Sequence, residues 1–121
     1  MKILVIDDDT DMLLILSVSL KKILACDVIQ SEGGLEALEL AKSELPGAII
    51  MDYVMEGMNG PALLELMRKE EKLKDTPVIF LTAMADSINA ERLQAMGAKG
   101  VIGKPFNPLE LPKMVQRILE E

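Results

Sequence analysis

The chain has 121 residues, with 13 Lys+Arg against 20 Asp+Glu, and so a formal net charge of −7. It holds one cysteine, no tryptophan and no histidine. These numbers suit one domain over residues 1–121 and exclude a Ser-His-Asp triad, a His-ligated zinc site and an intrachain disulfide. The acidic balance argues against nucleic acid bound by this domain, because a phosphate backbone selects a basic face. Apolar runs such as Met12–Leu16 fall far below the roughly eighteen residues of a membrane span, so no membrane partner is expected. Asp7, Asp8 and Asp9 interrupt the N-terminus before a signal peptide's apolar stretch can develop. The reading is a soluble, cytoplasmic acidic domain.

Strand and helix patterns alternate along the chain. Lys2–Ile6 is an apolar, β-branched run that stops at three aspartates, as a buried strand does. Met12–Leu24 is too long and Leu-rich for a strand, and Thr10 or Asp9 can cap it as a helix. Asp27–Ser31 is a short strand. Gly33-Gly34 opens a helix over Leu35–Leu45, with Leu35, Leu38, Ala41 and Leu45 on one face, and Pro46-Gly47 ends it. Ala48–Met51 is a third strand that again ends on an aspartate, Asp52. A helix follows at Pro61–Lys72, with Leu63, Leu64 and Met67 inward and a charged, solvated end through Asp75. Pro77–Leu81 is a strand, Asp86–Met96 a helix stopped by Gly97, and Gly100–Gly103 a fifth strand. Asn107-Pro108-Leu109-Glu110 has the form of a helix start, which leaves Pro112 inside the last helix, loosening its first turn. Five β-α units in succession predict a doubly wound α/β fold with a parallel sheet and helices on both faces.

In such sheets ligands bind at the carboxyl ends of the strands. Those ends carry Asp7-Asp8-Asp9, Ser31, Asp52, Thr82-Ala83 and Lys104-Pro105. Clustered carboxylates repel one another unless a cation intervenes, and Mg²⁺ accepts one or two carboxylates with waters and a phosphate. Lys104 supplies a point charge for a phosphate oxygen and Thr82 a hydroxyl donor. Asp52, alone at its strand end, is the natural carboxylate nucleophile for phosphoryl chemistry. Asp9 is read as a helix cap, and Cys26 as core filler.

At this point KILVIDDD, GAIIMDYVMEGMNG, PVIFLTA and GAKGVIGKPF resemble the four motifs of the receiver domain of two-component response regulators. The resemblance covers essentially the whole chain in the right order and spacing. It implies a flavodoxin-like five-stranded sheet of order 2-1-3-4-5 with five helices. It also implies that Asp52 is the phosphoacceptor, taking its phosphoryl group from the phosphohistidine of a sensor histidine kinase or phosphotransfer protein. Asp8, Asp52 and the Val54 carbonyl would hold Mg²⁺ (or Mn²⁺ in its place), with Asp7 acting through a coordinated water. Thr82, Lys104 and the Ala83 amide would contact the phosphoryl oxygens, and Lys104-Pro105 would be cis. The phosphorylated face would address a downstream protein or a covalent output domain, as a signalling module and not a turnover enzyme.

The chain departs from the family pattern in four places. Glu56 stands where proline is usual after Met55, and Val101 where an aromatic switch residue is usual. Val54 and Met84 occupy the two variable positions that modulate phosphoryl lifetime, and both are apolar. These changes leave the chemistry intact and bear on the usual Thr-to-aromatic switch. Two other readings compete. A haloacid-dehalogenase-like phosphatase uses the same Asp, Thr and Lys vocabulary, but its first motif needs Thr or Val where this chain has Asp11. A pseudo-receiver would not need the complete Asp, Thr and Lys set.

Overall fold

The computed structural model describes residues 1–83 and 87–121, with side chains for all of these except 87–89. Five strands form one parallel sheet: β1 (Lys2–Ile6), β2 (Asp27–Ser31), β3 (Ala48–Asp52), β4 (Val78–Thr82) and β5 (Gly100–Gly103). Their spatial order is β2-β1-β3-β4-β5. Between and after them run α1 (Thr10–Leu24), α2 (Gly34–Glu44), α3 (Gly60–Arg68), α4 (Ser87–Ala95) and α5 (Leu111–Glu120). The doubly wound parallel sheet expected from the residue pattern, in the flavodoxin-like order that the resemblance implies, is the architecture the chain adopts.

The central strands are apolar on both faces, so each face needs its own cover. Leu4, Ile6, Ile49, Met51, Val78 and Phe80 point to one side, where α2, α3 and Leu93 of α4 close over them. Ile3, Val5, Ile50, Ile79, Leu81 and Ile102 point to the other, beneath α1 and α5. Each buried side chain of this size contributes roughly 1.5–3 kcal/mol relative to exposure. The two cores therefore clamp β1, β3 and β4, the strands that carry Asp7, Asp52 and Thr82 at their ends.

Helix boundaries differ from the sequence reading in instructive ways. Asp9, not Thr10, caps α1: its carboxylate accepts from the amides of Asp11 and Met12. In α2 the inward residues are Ala37, Leu38 and Ala41, while Leu35 and Leu45 are exposed. Leu45 lies past the helix end at Glu44, as its left-handed cap, and Leu35 stands at the margin of the inward face. Helix α3 ends at Arg68 rather than Lys72, and the charged stretch after it is a run of turns that buries Leu73. Arg68 holds that run by donating to the Leu73 carbonyl at 2.8 Å and to the Gly97 carbonyl at 2.8 Å. Asn107 does accept from the Leu109 amide at 2.9 Å, but it closes only a turn. The helix proper begins at Leu111, so Pro112 lies in its first turn, where a missing N–H costs nothing. Pro112 therefore does not loosen the helix from within. The expected helix start at Asp86 lies outside the described residues.

Candidate functional site

Three strand ends and two loops converge on one acidic pocket. Asp7 follows β1 and is fully buried, Asp52 ends β3 and is nearly so, and Asp8 is exposed at the rim. One carboxylate oxygen from each lies within 4.8 Å of the others. Lys104, on the loop after β5, reaches back across the sheet edge. Its Nζ donates to Asp52 Oδ1 at 3.0 Å and forms a longer ion pair with Asp7 Oδ2 at 3.6 Å. The Lys104-Pro105 peptide is cis, as the resemblance implied. Thr82 is buried at the end of β4, opposite Gly103 in the strand register, and its carbonyl accepts from the Lys104 amide at 2.9 Å. Ala83 follows in an exposed turn.

The electrostatics follow from this crowding. Burial raises the Asp7 carboxyl above its ordinary range, and the charges of Asp52 and Asp8 add to the rise. The Asp9 amide, which donates to Asp7 Oδ1 at 2.9 Å, and the Lys104 charge oppose it only in part. Burial by itself would weaken the Lys104 ammonium, but the hydrogen bond to Asp52 and the charges of Asp7 and Asp52 outweigh it and hold the pKa up. Lys104 thus keeps its charge beside the carboxylates.

Three carboxylates against one ammonium leave about two negative charges uncompensated in the pocket. Asp7 Oδ2 is buried without a hydrogen-bond partner among the described residues. A buried oxygen with only a long ion pair to Lys104 among the described residues, beside two further carboxylates, belongs to a hard-donor set of the kind a divalent cation takes. The residues therefore fit Mg²⁺.

The loop after β3 is built to hold Asp52 in place. Tyr53 packs edge-on against Phe80 with ring centroids 6.1 Å apart, and the Gly60 amide donates to the Tyr53 carbonyl at 2.9 Å. A Cβ on Gly60 would stand 2.5 Å from the Phe80 ring and 2.7 Å from the Asp52 carbonyl oxygen, so only glycine fits. Across the loop, the Glu56 amide donates to Asp8 Oδ2 at 2.8 Å. Neither Gly60 nor the Glu56 amide was singled out from the sequence as a site residue. The signal the sequence carries for Glu56 is its departure from proline.

The remaining expected residues sit around this centre. Val54, two residues past Asp52, is exposed on the loop. Val101 is half-buried on β5, opposite Phe80 in the register and packed against the core on the α4 side. Met84 lies outside the described residues. Beside Lys104 an apolar groove of about 410 Å³ runs between Met12 and Ile15 of α1 and the segment Pro105–Pro108.

A doubly wound sheet with an acidic, lysine-bridged pocket at its carboxyl edge defines the class of the response-regulator fold. The sequence model of the family described as "Response regulator receiver domain" matches residues 3–116, and the chain belongs to that family. It is 37% identical over 118 residues to a probable transcriptional regulator, ycf27, of Porphyridium aerugineum, covering 98% of this chain and 48% of that protein. It is 33% identical over 120 residues to a chemotaxis protein CheY homolog of Campylobacter jejuni, covering 98% and 92%. The chain thus spans about half the length of its ycf27 relatives and nearly all of the CheY-like one. Among solved structures, the chemotaxis response regulator CheY4 of Vibrio cholerae matches with a TM-score of 0.90 at 32% identity over 97% of each chain. The receiver domain of a sensor histidine kinase from Pseudomonas aeruginosa matches with a TM-score of 0.85 at 26% identity, covering 99% of this chain and 98% of that one. That structure has a magnesium ion coordinated in its active-site cleft. Among the described residues no helix is long and apolar enough to cross a membrane.

Proposed function

We propose that residues 1–121 act as one phosphoacceptor domain, taking a phosphoryl group onto Asp52 from a phosphohistidine of a sensor kinase or phosphotransfer protein. The observation that carries this is the 3.0 Å contact from Lys104 to Asp52 beside the orphaned oxygen of Asp7. An Asp52 carboxylate oxygen attacks phosphorus while the P–N bond to the donor imidazole breaks, and the imidazole leaves with that electron pair. The product is an acyl phosphate on Asp52. Asp8, Asp52 and the Val54 carbonyl would hold Mg²⁺, with Asp7 acting through a coordinated water. When bound, that ion would supply charge neutralisation for phosphoryl transfer.

Lys104 then exchanges a carboxylate partner for a phosphoryl oxygen, and its raised pKa keeps the charge that this contact needs. The Thr82 hydroxyl and the Ala83 amide serve the other phosphoryl oxygens, because both sit at the end of the strand beside Asp52. Val54 and Met84 tune the lifetime of the acyl phosphate by their apolar character. Thr82 relays the new charge to the face formed by α4, β5 and α5, where Val101 stands at the switch position without an aromatic plane to swing, and that face addresses a downstream protein or a covalently linked output domain. The apolar groove that Lys104 and Ala83 border supplies a seat for the phosphodonor protein. The domain works in the cytoplasm as a switch, without turnover of a substrate.

Intact-mass measurement after incubation with acetyl phosphate and Mg²⁺ tests the reading. Wild type should gain one phosphoryl group, and Asp52→Asn should gain none. Undiminished uptake by Asp52→Asn would remove Asp52 from the role.

A further inference from the structure

We propose that the backbone amide of Glu56 is a positioning donor for the metal pocket, setting the Asp8 carboxylate in its ligating orientation before the cation arrives. The inference rests on the reading of that pocket as a Mg²⁺ site. Asp7 and Asp52 are held by burial, and Asp7 also by the amide of Asp9. Asp8 is exposed, so packing does not choose its rotamer. What reaches it instead is the Glu56 N–H, at 2.8 Å from Oδ2 and from a residue 48 positions away.

A carboxylate has two oxygens and about four lone-pair sites, so it can accept from this amide and still ligate a cation. Donors of this kind fix a ligand's orientation ahead of binding, and the rotamer freedom is lost before the metal arrives rather than with it. The donor exists because residue 56 is not proline, which has no N–H. The departure from the family pattern at Glu56 therefore adds a contact that a proline at this position cannot make. The same bond ties the loop after β3 to the loop after β1, so the two halves of the ligand set are joined without metal.

The test titrates Mg²⁺ by calorimetry into wild type, Glu56→Ala and Glu56→Pro. Both variants lack the Glu56 charge, and only the proline variant lacks the N–H. Glu56→Pro is expected to bind Mg²⁺ about tenfold more weakly than Glu56→Ala. Equal affinities, or tighter binding by Glu56→Pro, would overturn the proposal. Absence of Mg²⁺ binding by wild type would defeat the metal reading itself, and this inference with it. Should Glu56→Pro fail to fold, hydrogen exchange of the Glu56 amide in wild type decides. Protection that persists or rises on Mg²⁺ saturation supports a positioning role. Protection lost on adding Mg²⁺ means the amide competes with the ion, and overturns it.

Discussion

Lys104 and Asp52 lie 52 positions apart in the chain, yet Lys104 Nζ stands 3.0 Å from Asp52 Oδ1. The contact exists because β3 and β5 flank β4 in one parallel sheet and deliver their carboxyl ends to the same edge. It makes Lys104 the counter-ion of the pocket, with its ammonium against the Asp52 carboxylate.

Lys104→Ala should slow phosphorylation from acetyl phosphate about a hundredfold or more, as the loss of a preorganised charge-stabilising donor does. Its metal-free form should be less stable by about 1–3 kcal/mol, because a buried carboxylate loses its partner. Intact-mass time courses and thermal melts read the two effects separately. An unchanged phosphorylation rate would take Lys104 out of the chemistry.

Asp7→Asn should act in the opposite direction on stability. Asp7 is buried with an orphaned oxygen and two carboxylate neighbours, so removing its charge relieves repulsion. Without metal the variant should melt higher than wild type. It should also lose most of the Mg²⁺-dependent rise that mass action gives a ligand specific to the native state. Differential scanning calorimetry with and without Mg²⁺ checks both. A variant that keeps the full rise would place the metal elsewhere.

Gly60→Ala would drive a methyl group into the Phe80 ring and the Asp52 carbonyl. Overpacking of this kind costs about 1–3 kcal/mol, and here the strain falls on the backbone of the acceptor. Chemical denaturation should show the loss of stability. Phosphorylation measured well below the melting temperature should slow as well, which a defect remote from Asp52 would not cause.

Val101→Ala should leave phosphorylation intact and change partner coupling by well under about tenfold. Val101 is β-branched and stiff about χ1, so it cannot swing an aromatic plane from surface to interior. Switching should instead proceed by displacement of α4 and its flanking loops. The comparison is partner affinity of phosphorylated and unphosphorylated protein in both forms. Complete loss of discrimination in the variant would make Val101 itself the switch.

The strands were legible because their signals are local. β1, β2 and β5 have the bounds their residue patterns predict, Asp7 follows β1 directly, and β3 and β4 end on Asp52 and Thr82. Helix faces were less legible. Leu35 lies at the margin of the face that Ala37, Leu38 and Ala41 turn to the sheet, and Leu45 falls past the helix end at Glu44, as its left-handed cap. Pro112 read as a defect inside a helix because the turn at Asn107 carries the same start signals as a helix.

Composition and motif order thus determined the fold class and named Asp7, Asp8, Asp52, Thr82 and Lys104 as one set. They could not distinguish the buried, orphaned Asp7 from the exposed Asp8, two neighbours of identical chemistry. Nor could they find the Glu56 amide on Asp8, or the Gly60 gap that leaves the Asp52 carbonyl undisturbed. Periodicity and capping depend on residues a few positions apart, so the chain itself carries them. Charge compensation, desolvation and loop-to-loop hydrogen bonds depend on groups some 50 positions apart in sequence. Their separation in space is set only when two hydrophobic cores pull five strand ends to one edge.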